Sequence, residues 1–187
     1  MRIIAGTAKG REITAPKGMH TRPTLAKVKE AMFGMIQFDI EGANVLDLFA
    51  GSGGLGIEAI SRGAKRATFC DADRQAYSVI KANLKKLGFE EYASVNYGDS
   101  LALLKRLAAA GEKFDIVLLD PPYETDLESR ALEMLEELGL LNNGAILLCE
   151  HSQANPPRFT AGYTAKKAKR YGDSYVTFAS YEGANEA

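Results

Sequence analysis

Asn44-Val45-Leu46-Asp47-Leu48-Phe49-Ala50-Gly51-Ser52-Gly53-Gly54-Leu55-Gly56 decides the fold. Val45–Phe49 is an apolar run of strand length, Ala50–Gly54 is a turn of small residues, and Leu55–Arg62 reads as a helix. Glycines at such a junction let the backbone turn sharply and let a ligand lie against it. The same alternation continues downstream. Arg66–Cys70, Tyr92–Tyr97, Phe114–Leu119 and Gly144–Glu150 read as strands, and Arg74–Leu87, Ser100–Ala109 and Leu127–Leu138 as the helices between them. This order predicts an α/β domain with a mostly parallel sheet and helices on both faces. Two more strands, near Gly162–Lys169 and Ser174–Tyr181, follow each other without a helical crossover, so at least one runs antiparallel. Upstream, Ile3–Gly6 and Arg11–Thr14 flank a glycine-containing turn and predict a β-hairpin. Thr24 is a candidate N-cap for a helix carrying Leu25, Val28, Met32, Phe33 and Ile36 at helical spacing, with Lys27 and Lys29 expected to face solvent.

The chain has 187 residues, 46% of them hydrophobic and 25% charged, the profile of one globular domain in water. No apolar run approaches the roughly 18 residues of a membrane span, and the first residues are too short and too polar for a signal peptide. A cytoplasmic location is expected. Cys70 and Cys149 each sit near the end of a predicted strand and read as small buried hydrophobes, while His20 and His151 lack ligand-spaced companions, so no metal site is expected. The formal net charge of −1 is uneven: residues 1–35 carry +5, residues 36–157 carry −8 and residues 158–187 carry +2. An acidic middle between basic ends points to a polyanion that touches both termini.

The chemistry gathers at the carboxyl ends of the predicted strands, where open α/β sheets bind ligands. Gly51-x-Gly53-x-x-Gly56 matches the dinucleotide fingerprint, and Asp71 stands where an acid accepts hydrogen bonds from ribose hydroxyls. Asp47 would repel a pyrophosphate, yet it tolerates a ligand bearing an ammonium and a sulfonium. Asp99, in Tyr97-Gly98-Asp99-Ser100, can accept from an adenine amino group. These acids turn the reading from NAD to S-adenosylmethionine. The candidate cofactor set is Asp47, Phe49, Ala50, Gly51, Gly53, Asp71, Ala72, Asp99 and Ser100. After the fourth strand comes Asp120-Pro121-Pro122-Tyr123. Proline fixes φ and lacks an N–H, so the Pro121 carbonyl is held with little freedom. Asp120 adds a second acceptor and Tyr123 a flat face. Together they suit a planar –NH2 group and the ring that carries it.

The glycine loop and the Asp-Pro-Pro-Tyr tetrad resemble those of class I S-adenosylmethionine-dependent methyltransferases that modify exocyclic amines. Arg2-Ile3-Ile4-Ala5-Gly6, Lys9-Gly10-Arg11, Arg22-Pro23-Thr24 and Val28-Lys29-Glu30-Ala31-Met32-Phe33 narrow the resemblance to the RsmD family, which methylates N2 of a guanine in small-subunit (16S) rRNA. Asp71 stands where that family more often has Glu, and Lys27 and Gly34 stand where Arg and Asn are common. The resemblance implies a Rossmann-like, mostly parallel seven-stranded sheet with an antiparallel strand near the C-terminus. Residues 1–40 would form a hairpin-and-helix RNA-binding extension, and residues 41–187 the methyltransferase domain. Asp120, Pro121, Pro122 and Tyr123 would be catalytic. Arg2, Lys9, Arg11, Arg22, Thr24, Lys27 and Lys29 would meet RNA, and the expected partner is rRNA, in the assembled 30S subunit, bound by a monomer. The alternatives are a DNA adenine-N6 or cytosine-N4 methyltransferase, an NAD-dependent oxidoreductase, and an RNA-binding module without activity.

Overall fold

The computed structural model describes residues 1–18, 23–122 and 125–183, apart from the side chains of residues 23–25. Its helices are α1 (Pro23–Met35), α2 (Gly54–Ser61), α3 (Arg74–Leu87), α4 (Ser100–Ala109) and α5 (Leu127–Glu137). Its strands are β1 (Asn44–Asp47), β2 (Arg66–Asp71), β3 (Ala93–Tyr97), β4 (Phe114–Leu119), β5 (Leu141–Ser152), β6 (Tyr163–Tyr171) and β7 (Ser174–Tyr181). They form one seven-stranded sheet in the order β3-β2-β1-β4-β5-β7-β6. Strands β1 to β5 pair in parallel, and β7 lies antiparallel between β5 and β6.

Strand periodicity builds two cores. Val45, Ile116, Leu118, Ile146 and Leu148 face one layer, which holds α1, α2 and α3. Their sequence neighbours Leu46, Val117, Leu119 and Leu147 face the other, which holds α4 and α5. Both faces are thus apolar, as a parallel sheet requires. Ile3, Ala8 and Ile13 are buried in the first layer together with Val28, Met32, Phe33 and Ile36 of α1. Residues 1–14 do form an antiparallel ribbon, in which Ile3 N–H donates to the Arg11 carbonyl at 3.0 Å and Ile13 N–H to the Met1 carbonyl at 2.9 Å.

Three expectations change. Helix α1 begins at Pro23, not after Thr24, because proline's fixed φ and missing N–H suit the first helical position. Strand β5 starts at Leu141 rather than Gly144: Leu141 pairs with Phe114, and a register shift then absorbs the polar Asn142-Asn143-Gly144 stretch. Lys29 does not face solvent; it is buried. Among the described residues, no helix is long and apolar enough to cross a membrane.

Candidate functional site

At the carboxyl edge of β1 the chain turns through Gly51 and Gly53, both at positive φ, and Gly53 caps α2 in a left-handed conformation that favours glycine. Gly56 lets α2 lie on β2, since a Cβ there would overlap the Phe69 ring. Carboxylates hold this turn from below and beside. Asp47, fully buried, accepts from Gly56 N–H at 2.8 Å. Asp71 accepts from Gly51 N–H and from Asp73 N–H, each at 2.8 Å. Asp99 caps α4 by accepting from Ala102 N–H at 2.8 Å. Each acid therefore shapes the backbone that a ligand would touch.

A cavity of about 460 Å³ opens between these strand ends, within the range of small-molecule sites. Phe49, Ala50 and Gly51 line one wall, Asp71 and Ala72 a second, and Asp99 and Ser100 a third. Asp120, Pro121 and Pro122 close it from β4. Ten of the thirteen cofactor and catalytic candidates line this one cavity, and it is their shared wall that makes a site. Asp47 and Gly53 do not line it. Asp47 lies beneath the glycine turn, and Gly53 directs that turn. Tyr123 lies outside the described residues.

Carboxyl groups gather at and behind the cavity wall. Burial, then the carboxylates of Glu150, Asp47 and Glu128, push the Asp120 carboxyl well above the ordinary carboxylate range. Burial pushes Asp47 up to about 7; the Gly56 hydrogen bond opposes that, and the Asp71 charge adds to it. Burial likewise raises Glu128 to about 8 against a hydrogen bond from the Cys149 thiol. Burial and the neighbouring Asp71 raise Cys70 to about 12, and burial holds Cys149 well above the ordinary thiol range, so both free thiols are poor nucleophiles. Glu150, at the end of β5, lines the cavity and was missed in the sequence. The signal was present, because an acid closing an apolar strand is the pattern that marked Asp47, Asp71 and Asp120. Leu48, Gly54, Leu55 and Leu127 also line the cavity and carried no such mark.

The basic candidates do not form one free surface. Lys9 and Lys27 are exposed. Arg2 pairs with Glu12 at 3.0 Å on the surface, and Arg11 donates to the carbonyls of Lys86 and Leu87 at the end of α3. Lys29 is withdrawn altogether: its Nζ lies 3.1 Å from Glu58 and donates to the Arg2 carbonyl at 2.8 Å. Burial lowers its pKa, and Glu58 opposes that. Arg22 lies outside the described residues, as does the side chain of Thr24.

Comparison with known proteins adds an independent line. The family profile described as conserved hypothetical protein 95 matches residues 1–180. The chain is 41% identical to "Putative rRNA methyltransferase YlbH" of Bacillus subtilis over 82% of this chain and 83% of that protein. It is 36% identical to ribosomal RNA small subunit methyltransferase D of Haemophilus influenzae over 92% of this chain and 89% of that one. The solved structure titled "Putative methyltransferase yhhF from Escherichia coli" superposes with a TM-score of 0.86 at 30% identity, covering 98% of each chain.

Proposed function

Since the chain belongs to the conserved hypothetical protein 95 family, the RsmD family of rRNA methyltransferases, we propose that it transfers a methyl group from S-adenosylmethionine to the exocyclic N2 of a guanine in small-subunit rRNA. The substrate is the assembled 30S particle, met in the cytoplasm by a monomer. The observation that carries this reading is that Asp120 and Pro121 share one cavity with the glycine turn, Asp71 and Asp99.

The donor set fits that cofactor. Asp71 and Asp99 offer acceptors suited to ribose hydroxyls and an adenine amine, and apolar Phe49 and Ala50 line the same cavity. No helix-end phosphate cradle is called for, and Asp47 beneath the turn would oppose one. When bound, S-adenosylmethionine supplies a methyl group already activated by its sulfonium.

A guanine amine is a weak nucleophile because its lone pair is delocalised into the ring. Asp120 and the Pro121 carbonyl accept its two N–H bonds and turn the lone pair toward the methyl carbon. This is positioning, together with electrostatic stabilisation as positive charge grows on nitrogen. Asp120 is also assigned the proton that the amine loses. Tyr123, next in sequence, is assigned the stacking face for the flipped base, a contact worth roughly 1–3 kcal/mol. Flipping itself costs a few kcal/mol, least for a base that is already unpaired.

The test is methyl incorporation from labelled S-adenosylmethionine into unmodified small subunits, naked small-subunit rRNA and duplex DNA, followed by nucleoside analysis. N2-methylguanosine from the subunits is expected. Asp120→Ala should lower the rate at least about 100-fold while cofactor affinity stays within about threefold. Label in DNA, or equal loss of binding and turnover, would overturn the reading.

A further inference from the structure

The second basic region, not the first, occupies the sheet edge. Strand β6 ends the sheet, and its seven residues from Thr164 to Arg170 are all exposed. Four of them are Lys166, Lys167, Lys169 and Arg170, and Asp173 is the only acid between Arg158 and Tyr181. Lys166 is paired with Glu182 at 3.1 Å, which leaves Lys167, Lys169 and Arg170 as the cations to account for.

Strand register ties them to the candidate site. Leu119 pairs with Cys149, so Asp120 stands level with Glu150. Glu150 faces Val176, which faces Lys169; His151 faces Tyr175, which faces Arg170. Three strand spacings of about 4.8 Å put Lys169 about 14 Å from Asp120 along this row. In the neighbouring row, on the face opposite Lys169, the half-buried Tyr175 stacks on His151 beside Arg170, with ring centroids 5.8 Å apart and planes 20° apart, and His151 is held by Thr177 Oγ1 at 2.8 Å. Lys169 lies over the Tyr171 ring, and Arg170 spends one N–H on the Gly172 carbonyl out of its five donors. Exposed Lys27 belongs to α1, which packs against β6 and β7. The helix that carries Lys27 thus abuts this basic edge, whereas Arg11 is tied to the end of α3.

We propose that Lys167, Lys169 and Arg170 hold the phosphate backbone of the RNA strand that flanks the target nucleotide, with Tyr175 as a platform for an adjacent base. This rests on the reading of the chain as an RNA methyltransferase. A row of cations interleaved with aromatic rings is what a single strand needs: charge to track the backbone and flat faces that tolerate any base. Charge alone could serve another end, because lysines on an edge strand also prevent edge-to-edge pairing.

The experiment compares K167Q/K169Q/R170Q with K65Q/K105Q/K113Q, a matched loss of charge at exposed lysines elsewhere. Filter binding of unmodified naked small-subunit rRNA is followed across a salt series, with self-association and cofactor affinity as controls. The edge variant should bind about tenfold more weakly, with its log–log salt slope shallower by about 2 and its cofactor affinity unchanged. The matched variant should bind like the parent protein. Equal losses in both variants, or an edge variant that self-associates yet binds RNA as before, would overturn the proposal. Methyl incorporation by the parent protein is scored separately. RNA bound at this edge but left unmethylated would remove the proposed reaction and keep the surface.

Discussion

Asp120 experiences burial and like charge together, and both favour its neutral form. In the proposed reaction Asp120 accepts the amine's N–H bonds and its proton, which requires the carboxyl to be ionised. Turnover should therefore rise with pH as Asp120 loses its proton. Glu150 is the largest single charge acting on it, next to burial itself. Removing that charge lowers the pKa of a carboxyl group. Glu150→Gln should move the rising limb of the pH–rate profile to lower pH while leaving its plateau within about tenfold. A limb that stays in place, or moves to higher pH, would show that Glu150 does not set the ionisation of Asp120. The same residues show how a role is hidden at this scale. Asp47 and Asp99 look in sequence like ligand groups, and in the fold each also closes a backbone turn.

The strand–turn–helix unit of β1 and α2 depends on one missing methyl group. Gly56→Ala would press a Cβ into the Phe69 ring, which is fully buried and cannot swing aside. Overpacking of this kind costs about 1–3 kcal/mol, to be read in the urea-unfolding midpoint, with weakened cofactor binding because Asp47 holds this same residue's N–H. An unchanged midpoint would mean that α2 has slack to move away. Most elements were legible because strands buried on both faces read as unbroken apolar runs and glycines punctuate their ends. Lys29 was misread because lysine is rarely buried. Yet Lys29, Met32, Phe33 and Ile36 stand at i, i+3, i+4 and i+7, which places the lysine on the apolar stripe. Its partner Glu58 sits in a helix that is buried nearly all round, the other half of the clue.

Across the whole molecule, Glu58 fastens the first residues to the sheet. Its carboxylate accepts from Ile4 N–H at 2.9 Å, Ala5 N–H at 3.0 Å and Arg62 Nε at 2.8 Å, and Lys29 Nζ lies 3.1 Å away. Asn83 of α3 adds a second tie, exchanging hydrogen bonds with both backbone groups of Thr14 and donating to the Ser52 carbonyl of the glycine turn. Glu58→Ala would strand a buried lysine and cost about 3–5 kcal/mol, and protection of the Ile4 and Ala5 amides from hydrogen exchange should fall with it. Protection that persists would mean that the apolar contacts of Ile3 and Ile13 suffice. Apart from the i,i+4 pair of Glu58 and Arg62, the ties to Ile4, Ala5 and Thr14 span more than fifty residues, so local patterns could not disclose them. Strand order has a consequence in time. Synthesis runs from the N-terminus, and β6 is made before β7, yet β7 occupies the place between β5 and β6. A nascent chain can therefore assemble β1 to β5, and the cavity at their ends, while β6 still trails as an unattached tether. The edge assigned to RNA comes into being only when the last strand slots home, so an unfinished enzyme has a pocket for its methyl donor before it has a grip on its substrate.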